Sequence, residues 1–201
     1  MGIEYQFDID TNKISNKIIP KGSNNLLTLE KLAKVLNRNN KYARTIIRII
    51  TGQDPKLSLR IFEWTVTNYS YLYNTNYELK INKKTISYDL HTDYQAQLKG
   101  FKKNRFDPFC RGDNTKFVIY YKTIDSESSE ETLYEVTTNI AQLNFFYWVV
   151  KHKIHLYIKE NYKNIYKTMR ENDKKRIEEK KKSTTTRKKR TMVKKSFKRT
   201  N

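Results

Sequence analysis

Apolar positions recur at spacings of three and four from Thr28 onward. Leu29, Leu32, Ala33 and Leu36 share one helical face, with Thr28 placed to accept a free backbone N–H at the helix start. A second stripe, Ala43, Ile46, Ile47 and Ile50, ends at Gly52, which tolerates the left-handed conformation of a helix C-terminus. Asp54 and Pro55 then read as an N-cap and a first helical residue, opening a third helix through Leu59, Phe62, Val66 and Tyr69. Three short helices with tight connections fit either a helix-turn-helix that presents one helix to a major groove or a plain helical packing unit. No recognition-helix signature selects the first.

The pattern changes at residues 77–88, YELKINKKTISY, whose alternation about Asn82 predicts a β-hairpin. Helical spacing returns over 92–104 through Tyr94, Leu98 and Phe101. Residues 115–124 and 133–137 are rich in β-branched and aromatic side chains and predict an antiparallel pair across the acidic loop DSESSEE. From Thr138 the chain reads as helix through Leu143, Phe146, Val149 and Val150, and again from about His155 to Met169. The expected fold class is α+β: a small antiparallel sheet packed with several helices, followed by a disordered basic C-terminal tail. Residues 1–27 read as a weakly structured arm with at most a short strand near Phe7 and Ile9, residues 28–169 as one mixed domain, and residues 170–201 as a basic helix extension running into the tail. Leu59, Phe62, Trp64, Val66, Leu72 and Tyr73 match Leu143, Phe146, Trp148, Val150, Leu156 and Tyr157 at a constant offset, an echo of two similar amphipathic helices flanking the sheet.

Charge adds a partner to this picture. Residues 180–201 carry eleven basic residues and no acidic one: Lys180, Lys181, Lys182, Arg187, Lys188, Lys189, Arg190, Lys194, Lys195, Lys198 and Arg199. Phe197 is the only aromatic there, and no apolar period runs through the segment, so it has little surface to bury against its ordering entropy. The whole chain has a net charge of +20, and residues 1–179 are basic too. Such a field attracts nucleic acid, acidic proteins or anionic headgroups. For the tail three uses stand: non-specific phosphate neutralisation, a nuclear-import signal in KKKSTTTRKKR, and a solubilising extension. Its Ser and Thr residues are possible phosphate acceptors that would cancel the charge.

Composition limits the chemistry. The chain has 5 Gly, 3 Pro and 15 Tyr with many Lys, Asn and Ile, the usage of an A+T-rich genome, which accounts for some of the lysine but not for the two-to-one excess of basic over acidic residues. Cys110 is the only cysteine, so an intramolecular disulfide and a multi-cysteine zinc site are excluded, and a reducing compartment is expected. The acidic N-terminus MGIEYQFDIDTNK is unlike a secretory signal, and no apolar run is long enough to cross a bilayer.

Two segments carry candidate chemistry. In FDPFCRGD, Asp107 and Asp113 beside Cys110 could hold a divalent ion or act in acid–base chemistry. As structure, Asp107–Pro108 initiates a turn, Phe106 and Phe109 anchor it, and Arg111 pairs with a carboxylate. Cys110 as a nucleophile needs a base, for which His91, His152 and His155 are the candidates. His152 and His155, three apart near a helix break, lack an assured third metal ligand. In QLNFFYW, consecutive aromatics on a helix point around most of its circumference, so at least two must enter the core, Trp148 among them. Gln142 or Asn144 would then bond to the FDPF turn. No cofactor and no metal site is read from the sequence.

The strings LSLRIFEWTVTNYS at 57–70, FKKNRFDPFCRGD at 101–113 and TTNIAQLNFFYWVVKHKIHLYI at 137–158 together resemble an uncharacterised family of the giant viruses, the nucleocytoplasmic large DNA viruses, its mimivirus-like members above all. The resemblance covers roughly residues 57–170. It implies a viral protein made in host cytoplasm, often with a lysine-rich C-terminus, and brings no catalytic residue or ligand with it. The expected function is that of a non-enzymatic viral protein whose tail binds DNA or RNA without sequence preference, in the virus factory and the virion, with nuclear import by the tail as a further use. The alternative is a structural virion protein that contacts acidic viral proteins.

Overall fold

The structure, a computed structural model, describes the backbone of residues 3–8, 23–81, 83–109, 116–125 and 131–196; side chains are described for these residues except 3–8, 81, 122–125, 131 and 183–196. Two compact units result, Met1–Glu160 and Asn161–Asn201, where the sequence pattern sets limits at 28 and 169.

The first unit opens with strand β1 (Ile3–Asp8), a short strand that includes Phe7, where one was allowed: the six residues gain a full ladder from a neighbouring strand, and the rest of the expected arm, residues 9–22, lies outside the described residues. Helices α1 (Asn24–Arg38) and α2 (Asn40–Ile50) follow. The first begins four residues before the expected Thr28, because Ser23 accepts the N–H of Leu26 as its cap, while the Thr28 hydroxyl donates back to the carbonyl of Asn24 at 2.7 Å. Asn39 ends α1 and caps α2 by accepting the N–H of Tyr42. Gly52 adopts φ +69° just beyond α2, as its position requires. Asp54 caps only the single 3-10 turn Pro55–Leu57, and Ser58 caps the true third helix, α3 (Leu59–Trp64). That helix runs through a π turn, Thr65–Tyr69, into α4 (Ser70–Leu72). The buried hydroxyls of Thr65 and Ser70 donate to the carbonyls of Ile61 and Val66 along this stretch.

The hairpin is as expected: β2 (Asn76–Ile81) pairs with β3 (Lys84–Asp89) with Tyr77 opposite Tyr88. Asp89 caps α5 (Leu90–Phe101), and a short α6 (Lys103–Phe106) leads into the FDPF turn. Strands β4 (Phe117–Asp125) and β5 (Glu131–Thr138) pair antiparallel, and β1 completes the order β1-β4-β5. Burial alternates along β4, with Phe117, Ile119 and Tyr121 inside and Tyr120 half in solvent, and Ile119 faces Val136 across the ladder.

Helix α7 (Ile140–Lys151) is the hub. Nine of its twelve residues are buried, as befits a helix that is apolar all round rather than on one stripe. Helices α1, α2 and α6 pack on it. Phe62, Phe106, Phe145 and Phe146 are all essentially inaccessible to solvent and meet edge to face, Phe62 with Phe146 at 5.3 Å and Phe106 with Phe145 at 5.8 Å. The two segments of the echo therefore pack against each other through Phe62 and Phe146, their matching positions.

His152 ends α7 and Lys153 takes φ +58°, after which α8 (Ile154–Ser196) begins. The basic helix extension expected after residue 169 continues this helix. The segment contains no Gly or Pro, and adding a residue to an existing helix avoids the nucleation cost that an isolated segment must meet. In the second unit Tyr162 and Tyr166 stack one turn apart at 5.7 Å. No helix among the described residues is long and apolar enough to cross a membrane.

Candidate functional site

The FDPF segment forms a turn as far as it is described. The Asp107 carboxylate accepts the N–H of Phe109 at 2.9 Å, closing an Asx turn over Pro108. Phe106 is fully buried, and Phe109 packs edge-on against Phe145 at 5.4 Å. Asn144, buried on α7, donates its amide N–H to the carbonyl of Arg105 at 2.9 Å, so of the two alternatives in QLNFFYW it is Asn144 that reaches the residue just before the turn. Gln142 instead accepts the Thr138 hydroxyl at 2.9 Å and stays at the start of its own helix. Cys110, Arg111 and Asp113 lie outside the described residues. Among the described residues no group of three His, Cys, Asp or Glu is placed to hold a metal ion.

Asp93 on α5 organises a second cluster that the sequence pattern did not single out. One carboxylate oxygen accepts the Trp148 indole N–H at 2.6 Å and the Tyr88 hydroxyl at 2.5 Å. The other accepts from the Gln97 amide at 3.4 Å. His152 stacks on the Tyr88 ring at 5.0 Å, and its backbone carbonyl accepts the Tyr77 hydroxyl at 2.9 Å. Tyr77 stacks in turn on Tyr157 at 5.1 Å. Burial, with the Asp93 carboxylate beside it, holds the Tyr88 phenol well above the ordinary 10, so it stays a neutral donor. A usable signal was present: Asp93, Gln97 and Phe101 recur every fourth residue and so share one face of α5.

Burial also lowers the pKa of His152 and His155 below 6.5. For a base whose folded pKa is depressed, the unfolded chain binds more protons once pH falls below 6.5, so stability is full above that value and declines below it until the folded-state values are passed. The thermal midpoint should therefore fall as pH drops from about 7.5 to about 5.5. That range lies well above the one where Asp54 and Asp89 matter, both held below the usual carboxylate value by Lys159 and by Thr92 respectively. Circular-dichroism melts of the protein and of a His152→Gln, His155→Gln double variant check this; a flat profile in the unsubstituted protein contradicts it.

Beside this cluster α1, α5 and α7 enclose a pocket of about 230 Å³. Its apolar wall is Leu32, Val35, Phe101, Tyr147 and Trp148, its polar groups are Thr28, Gln97, Asn144 and His152, and Lys31 and Lys151 complete it. Both lysines are exposed, and the Lys151 ammonium sits 5.9 Å over the Tyr147 ring.

The residues expected to bind nucleic acid fall in the second unit. Lys180, Lys181 and Lys182 are exposed on α8. Arg187, Lys188, Lys189, Arg190, Lys194 and Lys195 lie on the same helix backbone, and Lys198 and Arg199 lie outside the described residues. At 100° per residue these positions fall all round the helix axis rather than on one face. Residues 161–201 hold seventeen basic and four acidic residues, against twenty-four and seventeen in residues 1–160.

The model of a family of unknown function, DUF7197, matches residues 7–201. Uncharacterized protein L507 of Acanthamoeba polyphaga mimivirus is 37% identical over 179 residues, which is 88% of this chain and 65% of the viral protein. The chain thus spans about two thirds of that relative's length. No solved structure matches significantly.

Proposed function

Because the chain belongs to DUF7197, a family of unknown function with a relative in a giant virus, its role has to come from its own residues, and we propose that it binds nucleic acid without sequence preference through its basic C-terminal unit. The concentration of charge carries this reading: thirteen of the twenty net positive charges belong to residues 161–201. Charges distributed all round a helix, with Met192, Val193 and Phe197 as the only large apolar residues after Ile177, suit a partner that offers negative charge on several sides. A phosphate backbone does so, and counterions released from it drive association irrespective of base sequence. The setting proposed is genome packaging or organisation of the virus factory in host cytoplasm.

Fluorescence anisotropy with labelled duplexes of unrelated sequence and a single strand tests the proposal. Similar affinities that weaken together as salt rises are expected. Absence of binding at low salt overturns the reading, and so does pull-down from infected cells that yields acidic viral proteins unchanged by nuclease treatment, the outcome belonging to a structural virion protein.

A further inference from the structure

We propose that the pocket enclosed by α1, α5 and α7 binds a single nucleotide, its base against Phe101 and Tyr147 and its phosphate on Lys31 and Lys151. This site is independent of the basic C-terminal unit and would stand if that reading failed. The volume admits a ring: about 230 Å³ exceeds the roughly 150 Å³ that suffices for benzene in an apolar cavity. Phe101 and Tyr147, both partly exposed, offer aromatic surface for stacking, which every base can use through its π face. The remaining wall argues against a pure hydrocarbon. Thr28, Gln97 and His152, all partly exposed, can each donate and accept, and an apolar ligand would strip water from them without replacing its hydrogen bonds. A heteroaromatic ring with polar edges satisfies them.

Charge selects the rest of the ligand. No carboxylate is among the described residues that line the pocket, and two lysines are. The nearby Asp93 is not itself a lining residue, and its carboxylate is turned to Tyr88, Trp148 and Gln97, which all donate to it. Those same bonds fix the indole and the Gln97 amide before any ligand arrives, which lowers the ordering cost of binding. The neutral His152, its pKa lowered by burial, keeps an acceptor nitrogen available near neutral pH.

The test uses the full chain with Trp64→Phe, so that Trp148 is the only fluorescent indole, and titrates the 5′-monophosphates of adenosine, guanosine, cytidine and uridine with calorimetry in parallel. Saturable quenching by at least one of them below about 1 mM is expected, with affinity lowered several-fold by Lys31→Ala or Lys151→Ala, both exposed positions, and abolished by Val35→Phe, which fills the pocket. A single-stranded trinucleotide forms a second arm: tighter binding than the monophosphate assigns the site to an unpaired nucleotide of a strand, weaker binding to a free nucleotide. Changing Arg187, Lys188, Lys189 and Arg190 to Gln should leave the quenching unchanged, which separates this site from the tail. No saturable response to any monophosphate overturns the proposal. So does an equal response to inorganic pyrophosphate, or unchanged affinity in the lysine variants when melts show them folded.

Discussion

Truncation after Glu179 is expected to leave the first unit folded and to remove most of the affinity for nucleic acid. The deleted residues carry eleven basic side chains and almost no apolar surface, so their loss removes charge rather than core. Every phosphate that is no longer neutralised lowers the magnitude of the log–log salt slope by roughly 0.9 on duplex DNA, and a protein that neutralises 6–10 phosphates weakens by about 10³ to 10⁵ in affinity between 50 and 200 mM salt. If about half of the eleven residues touch phosphate at once, truncation should flatten the slope by roughly 5 and weaken low-salt binding by several orders of magnitude. Six basic residues remain in 161–179 against four acidic ones, too near balance to replace what was removed. Anisotropy titrations at four salt concentrations, on full-length and truncated protein, decide the matter. Equal affinity and equal slope would mean that nucleic acid is not the tail's ligand, and the acidic-protein reading would take its place.

The helices and the hairpin were legible because their signals are local. Leu29, Leu32, Ala33 and Leu36 all fall at buried positions of α1, and the alternation about Asn82 placed both hairpin strands within one residue of their observed limits. What failed was what depends on distant partners. Strand β1 alternates Ile3, Tyr5 and Phe7 with Glu4, Gln6 and Asp8, a period that allowed a short strand near Phe7, but its register comes from the ladder that β4 offers. The start of α1 was misjudged because Asn24 and Asn25 are poor helix formers, while the cap that matters, Ser23, precedes them. The tail's charge was plain, since it needs no partner to be read from the sequence. For the sites the same division holds. Asn144 and Trp148 stood out as polar and bulky members of one helix, whereas the pocket needs Lys31, Gln97 and Lys151 from three helices far apart in sequence. The giant-virus resemblance rested on three ordered motifs, and the family match and the mimivirus relative bear it out.

Replacing Trp148 by Ala should cost roughly 3–5 kcal/mol, lowering the thermal midpoint by about 10 °C or more for a chain of this size. The indole is 3% exposed and touches Tyr94, Phe106, Phe145 and His152, with ring centroids between 5.4 and 6.2 Å. Removing it opens a cavity among rigid rings that cannot collapse to fill it, which puts the loss toward the upper end of the range. It also deprives Asp93 of its indole donor. Trp148→Phe separates the two effects, since a phenyl ring keeps much of the packing while the N–H is gone; its cost should be clearly smaller, about 1–3 kcal/mol from the indole donor that Asp93 loses and the remaining void. Trp64, 8% exposed, should follow the same direction as alanine. Urea denaturation of the variants measures each cost. A Trp148→Ala protein within about 1 kcal/mol of the original would show that α7 is not the hub of the core.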